Sequence, residues 1–200
     1  MFKFLGVFTM SIILSSQVLA QPVSQRLPFP DKTGEATLMF ALNKRQSVKE
    51  FQDKEIDDKV LGTILWAAYG ANRTDGKRTI PTAMNQQDLE VYIAKKDGVF
   101  KYDGIKQNLT LVTKNDIRPL FQTQEYMKNV PVVLIYTGKN KEYAPMHAGS
   151  AYQNVELFAA ANNMGSVVRG YFDKDEVKKA LALTDEEYVI ISQAVGYKAQ

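Results

Sequence analysis

Three short segments of this 200-residue chain carry side chains suited to holding a flat, anionic ligand. The first is Arg45-Gln46-Ser47-Val48-Lys49-Glu50-Phe51. Side chains alternate along an extended connector, so Arg45, Ser47 and Lys49 are expected on one side. A guanidinium fork, a hydroxyl and an ammonium together make a phosphate cradle. The second is Pro81-Thr82-Ala83-Met84-Asn85-Gln86-Gln87, where Asn85 and Gln87 each offer a donor and an acceptor. Reading the edge of a heterocycle needs that pairing. The third is Ala148-Gly149-Ser150-Ala151-Tyr152-Gln153-Asn154, followed by Asn162 to Gly170, where small residues admit close approach of backbone to a ligand. Gln153 and Asn154 on that otherwise apolar stretch need partners, because an unpaired buried amide costs about 1–3 kcal/mol. Each segment taken alone is equally an ordinary polar stretch, and the residues leave both readings open.

Other chemistries are excluded by composition. The chain has no cysteine and one histidine, His147. Disulfides, thiolate nucleophiles, thiolate metal sites and multi-imidazole zinc sites are therefore ruled out. No Gly-x-Ser-x-Gly elbow presents a serine nucleophile. A net charge of +3 argues for neither nucleic acid nor a membrane surface as partner. What remains is chemistry carried by a bound cofactor, or none.

The elements that must position these segments follow from periodicity. A helical pattern begins at Gly34, with Leu38, Met39 and Leu42, and ends near Asn43. Val60, Leu61, Ile64, Leu65 and Ala68 form one apolar stripe closed by Gly70. Residues 71–88 read as a long loop, a length that usually signals function or disorder. Strands are expected at 89–94, 99–102 and 108–113, the first two joined through Asp97-Gly98. Residues 116–128 read as a helix. Val130 to Thr137 is nearly continuous in apolar residues, as a strand covered on both faces should be. Residues 147–163 are apolar almost all round and read as a buried central helix. A strand at 166–172, capping boxes at Asp173 and Thr184, and a strand at 188–195 complete the chain. The sum is one α+β domain with a mixed sheet flanked by helices.

The amino terminus stands apart. Lys3, the apolar run Phe4 to Leu14 and the small or medium residues Val18-Leu19-Ala20 before a cleavage point read as a secretory signal peptide over residues 1–20, so the protein is expected to be exported, periplasmic or secreted. Residues 21–33 hold three prolines and read as an extended arm or linker. Residues 34–200 form the single domain, and no stretch after the leader is long enough to span a membrane.

In order and content the segments resemble the FMN-dependent nitroreductase family of flavin oxidoreductases. Arg45, Ser47, Lys49 and Phe51 match its Arg-x-Ser-x-Arg/Lys-x-Phe motif, and Pro81, Thr82, Asn85 and Gln87 are similar to its Pro-Ser-x-x-Asn-x-Gln loop. Ala148, Gly149, Gln153, Asn154 and Gly165 match its helix, and Gly196-Tyr197 its late Gly-Tyr. The stretch Pro81 to Tyr102 is most similar to the branch holding the flavin dehydrogenases of azoline-peptide biosynthesis. In the family, Gly-Tyr usually runs into a proline and then a basic pair; here Lys198 stands in the proline's place.

The resemblance implies FMN as cofactor, with Arg45, Gln46 and Ser47 at its phosphate and ribityl chain and Lys198 substituting for the missing basic pair. Lys49 would lie near the N1/O2 edge, Asn85 and Gln87 at the pyrimidine edge, and the backbone of Val168, Arg169 and Gly170 near N5 and O4. No protein side chain is assigned to catalysis, since the flavin N5 carries the chemistry. The resemblance also implies an intertwined homodimer with FMN at the interface and a small organic substrate of nitro, quinone or enone type. Export would remove the chain from NAD(P)H, leaving a quinol, an exported electron carrier or the substrate as donor. The same residues fit a flavin- or small-molecule-binding protein without turnover. His147 is expected at a helix start or on the surface rather than in catalysis.

Overall fold

The computed structural model describes residues 23–199, so the leader segment lies outside the described residues. Seven strands form one sheet: β1 (Ser24–Arg26), β2 (Glu90–Lys95), β3 (Gly98–Asp103), β4 (Asn108–Thr113), β5 (Val132–Gly138), β6 (Met164–Arg169) and β7 (Tyr188–Tyr197). Their order across the sheet is β1-β4-β3-β2-β5-β7-β6. Every pairing is antiparallel, whereas the sequence pattern suggested a mixed sheet. The α+β class stands. The helices are α1 (Leu38–Lys44), α2 (Asp58–Tyr69), α3 (Ala144–Ala161) and α4 (Lys174–Ala180).

Strand β5 explains the layering. All seven of its residues are buried. Val132, Leu134 and Tyr136 point into a core shared with α2 and α3, while Val133 and Ile135 point into a second core shared with α4. A strand with helical layers on both faces must be apolar on both, which is why alternation is lost there.

Helix α2 starts where Asp57 accepts hydrogen bonds from Lys59 N and Val60 N, both at 3.0 Å. It stops at Gly70, whose φ of −72° is ordinary extended backbone. The requirement there is space: a Cβ on Gly70 would lie 2.2 Å from Trp66 Cδ1. The indole folds over the helix end and donates to Ala71 O at 3.0 Å.

Three segments differ from the sequence pattern. The arm at 21–33 is anchored: β1 pairs with β4 at the sheet edge and Leu27 is buried in the core. Burying one leucine contributes about 1.5–3 kcal/mol, enough to hold a short arm in place. Residues 116–128 form two 3-10 turns, Arg118–Phe121 and Glu125–Asn129, rather than one helix. Pro119 can open a turn but cannot continue one, and polar Gln122-Thr123-Gln124 gives a continuous helix nothing to bury. Helix α1 buries only Ala41, so Leu38, Met39, Phe40 and Leu42 all face outward. No described helix is long and apolar enough to cross a membrane.

Candidate functional site

The motif segments gather at the two ends of α3. At its carboxyl-terminal end the chain leaves α1 at Arg45 and runs along the sheet edge. Val48 N donates to Ser166 O (2.9 Å), Gln52 N to Tyr197 O (2.9 Å) and Ala199 N to Glu50 O (3.0 Å). Phe51 is bridged to Lys198. This path brings Gln46 and Lys198, far apart in sequence, onto one cavity of about 300 Å³, together with Lys44, Val48, Ser166 and Glu156. Arg45 is tied to this lining through Glu156, whose Oε2 accepts from its NH1 at 2.8 Å. The Arg45 side chain is 37% exposed and that of Glu156 only 8%. The buried carboxylate therefore fixes the guanidinium while leaving much of it open.

The expected single row of Arg45, Ser47 and Lys49 does not form. Arg45 is the residue that caps α1 and it turns back onto α3, so strict alternation starts only after it. Ser47 and Lys49 are exposed, and Lys49 Nζ lies 5.8 Å from the centroid of the Tyr126 ring.

Strand β6 forms the outer edge of the sheet beside this arm. Because Ser166 O bonds Val48 N, Ser166 presents its backbone outward, and by alternation so does Val168. Arg169 turns its backbone to β7, where Ser192 Oγ donates to Arg169 O at 3.1 Å. The Arg169 side chain is fully committed: it donates to Phe121 O (2.6 Å), Thr123 Oγ1 (2.7 Å), Gln124 Oε1 (3.1 Å) and Tyr171 O (3.3 Å). Gly170 is exposed at the strand end.

The amide loop sits at the opposite end of α3. Gln87 Nε2 donates to Asn85 Oδ1 (3.0 Å), and Arg78 Nε donates to Gln87 Oε1 (2.9 Å), so Asn85 and Gln87 form one unit. Arg78 in turn stacks on Tyr69, 4.7 Å from the ring centroid. Met84, Asn85 and Gln87 have φ of 50°, 55° and 48°. Three residues other than glycine in the left-handed region within four positions amount to local strain, which persists only where the surroundings enforce it.

Those surroundings are the residues that sequence reasoning passed over. His147 lies at the start of α3, one of the two places expected for it, and is buried there at 3% exposure rather than on the surface. Its Nε2 accepts from Ala83 N and its Nδ1 meets Asp88 Oδ1, both at 2.8 Å. Glu156 was likewise missed as a partner. The only signal available for His147 was its being the sole histidine, placed in the first turns of the long helix. Gln153 and Asn154 are half-buried, and Asn154 finds a partner in Ala67 O at 3.0 Å.

His147 and Glu156 lie nine positions apart on α3, about 13 Å along its axis. The two clusters are therefore separated by the length of an elongated ligand, with the outward edge of β6 beside α3. The residues fit FMN: cations and amide donors surround the cavity at one end, and a rigid carboxamide loop that can both donate and accept stands at the other.

The profile described as the nitroreductase family matches residues 42–197. A Methanocaldococcus jannaschii protein that carries the nitroreductase name is 28% identical over 187 residues, covering 83% of this chain and 93% of its own. A crystal structure under the nitroreductase name from Ralstonia eutropha JMP134 superposes with a TM-score of 0.84 at 28% identity, over 92% of this chain and 97% of that one. Two more distant structures share the fold. One is the Escherichia coli microcin synthetase McbBCD complex, with a TM-score of 0.68 at 18% identity over 97% of this chain and 85% of that one. The other is a Desulfovibrio desulfuricans protein crystallised with FMN, with a TM-score of 0.57 at 21% identity over 83% and 88%. With the family profile spanning the arm, the amide loop, α3 and the closing strand, the chain belongs to the nitroreductase family of flavin-dependent oxidoreductases.

Proposed function

We propose that the protein is an exported FMN-dependent oxidoreductase that works as a homodimer on a small organic substrate of nitro, quinone or enone type. The observation that carries this reading is the pairing of a cation-lined cavity at one end of α3 with a strained amide loop at the other. Gln46, Ser47, Lys198 and Arg45 would hold the phosphate and ribityl chain, Lys49 the N1/O2 edge, and Asn85 with Gln87 the pyrimidine edge. The outward backbone of Val168 and Gly170 would stand near N5. Bound FMN supplies two-electron transfer at N5, and the protein binds, orients and shields it.

Dimerisation is supported by the outward apolar face of α1, since a run of Leu38, Met39, Phe40 and Leu42 in water is costly unless covered. The Desulfovibrio protein crystallised with FMN supports the choice of cofactor. Export rests on the leader-like sequence of residues 1–20, and it favours a donor other than NAD(P)H.

The test is a flavin absorbance spectrum of the purified protein, followed by anaerobic bleaching with a chemical reductant and recovery on adding a nitroaromatic or a quinone. Bound FMN that bleaches and recovers faster than free FMN supports the reading. Protein that takes up no FMN overturns it. Uptake with no turnover above that of free FMN turns the reading into one of a flavin-binding protein.

A further inference from the structure

Resting on the flavin reading above, we infer that His147, together with Asp88, is the positioning residue that holds the Asn85 loop in its ligand-reading conformation. The loop is strained at Met84, Asn85 and Gln87, so its conformation must be imposed by outside contacts. Its own bonds are weak fixings: Asn85 N reaches Thr82 O and Gln86 N reaches Ala83 O in a single 3-10 turn. Asn85 itself is exposed and cannot be locked by burial.

Apart from the Arg78 bond to the Gln87 side chain, the imposed contacts converge on one buried imidazole. Ala83 N–H donates to His147 Nε2, which fixes the proton on Nδ1, and Nδ1–H donates to Asp88 Oδ1. Asp88 closes the loop at its far end, five residues from Ala83, and its Oδ2 accepts from Asn140 N at 3.2 Å. Asn140 Nδ2 reaches back to Gln86 Oε1 at 3.3 Å. One side chain therefore ties both ends of the Ala83–Asp88 segment to the first turns of α3. His147 touches neither Asn85 nor Gln87 in the described hydrogen bonds, so its effect on a ligand passes through the loop backbone.

Two variants separate this role from simple packing. His147→Phe keeps a ring in the space and removes both hydrogen bonds. His147→Gln keeps one acceptor and one donor. Hydrogen exchange of the ligand-free protein reads the clamp directly. With His147→Phe, exchange in residues 83–88 should accelerate about tenfold, the value of one hydrogen bond left unmade, while β5 keeps its protection. His147→Gln should restore part of that protection. Unchanged exchange in residues 83–88 overturns the clamp, and so does acceleration that is equal throughout the sheet.

Titration with FMN and with riboflavin then reads the consequence. His147→Phe should weaken both ligands by the same factor, about five- to tenfold, because the loop reads the ring and not the phosphate. Arg45→Ala should weaken FMN much more than riboflavin, which lacks the phosphate. In an Asn85→Ala background the His147→Phe change should add little, since it acts through Asn85. A full effect in that background, or an effect on FMN without riboflavin, overturns the positioning role. If the wild-type protein binds neither ligand, the flavin reading falls and the ligand-reading role falls with it, while the exchange result still decides the clamp.

Discussion

Gly165 and Gly196 face each other across β6 and β7, and the ring of Phe51 lies on the bare surface they leave. A Cβ built on Gly165 would come 3.0 Å from Phe51 Cε1 and 2.8 Å from Val48 Cγ1. One on Gly196 would come 3.0 Å from Phe51 Cδ1 and 2.9 Å from Pro131 Cδ. The glycines that close two of the sequence motifs thus serve the third: they admit the arm that carries Arg45 to Lys49.

Gly196→Ala is accordingly expected to cost about 1–3 kcal/mol by overpacking, with the arm lifting because β7 cannot move. Phe51→Ala should cost about 3–5 kcal/mol by leaving a cavity. Combined, the two should cost less than their sum, since the added methyl occupies space the ring has left. Urea unfolding of the three variants measures this. Simple additivity would show that Phe51 and Gly196 do not share the contact described.

The second prediction concerns Arg45 and its buried partner. Arg45→Ala removes the guanidinium that satisfies Glu156, and an unsatisfied buried acceptor costs about 1–3 kcal/mol. Adding Glu156→Gln should return most of that stability. On its own, Glu156→Gln should leave the arginine with more of its charge for a phosphate, so FMN affinity holds or rises. Arg45→Ala should lower FMN affinity by about 1.5–3 kcal/mol, against no change for Arg26→Ala at the far edge of the sheet. Calorimetric titration distinguishes these outcomes, and equal FMN affinity in Arg45→Ala and Arg26→Ala would remove Arg45 from the site.

How much of this was legible beforehand depends on the range of the contact concerned. Strand β4 falls at the expected residues 108–113, and β5 was visible as an uninterrupted apolar run, because strand patterning is local. Strand direction is set by which elements meet, so the all-antiparallel sheet could not be read from periodicity. The Leu38-Met39-Leu42 stripe signalled a helix but not that it faces outward. His147 stands at a helix start as expected, but its burial was hidden for the same reason: its partners Ala83 and Asp88 lie 64 and 59 positions away, and nothing near residue 147 encodes them. The motif residues themselves were visible, but Arg45 and Lys49 were expected to act from one side, and the helix end at Arg45 separates them.

A third prediction follows from the 3-10 segment on the other face of the sheet. Asp116 is drawn in two directions: burial raises its carboxyl, but hydrogen bonds from Arg118 outweigh that and hold it below the ordinary carboxylate value. The Arg118 contacts are Nε to Oδ1 at 2.9 Å and NH2 to Oδ2 at 2.7 Å. A carboxyl lowered on folding contributes stability that is fully present above its unfolded value, about pH 4, and is lost as pH falls through its folded value. Asp116→Asn should cost on the order of 1 kcal/mol at pH 7, given that the pair is partly exposed. That cost should shrink towards zero in strong acid, where the wild-type carboxyl is also neutral. Urea midpoints for both proteins across the acid range test it, and a gap independent of pH would show that the pair contributes nothing through its charge.

The last prediction turns on Arg169, whose guanidinium is buried against neutral acceptors in place of a carboxylate. Its NH1 reaches Phe121 O, and its NH2 is shared among Thr123 Oγ1, Gln124 Oε1 and Tyr171 O. These bonds fasten the segment between the two 3-10 turns to the end of β6. A planar fork of five donors suits four acceptors spread over two chain segments, and a lysine ammonium at the end of a flexible stem does not. Arg169→Lys should therefore be nearly as damaging as Arg169→Met, each costing about 1–3 kcal/mol, because both leave the buried Phe121 O and its part-buried neighbours without the fork that pairs them. The damage should be confined to one face. Residues 118–129 should become sensitive to limited proteolysis, while the Ala83–Asp88 loop, held from α3 on the other side of the sheet, stays protected. Arg169→Lys with wild-type stability would show that charge alone, rather than the shape of the fork, holds this segment.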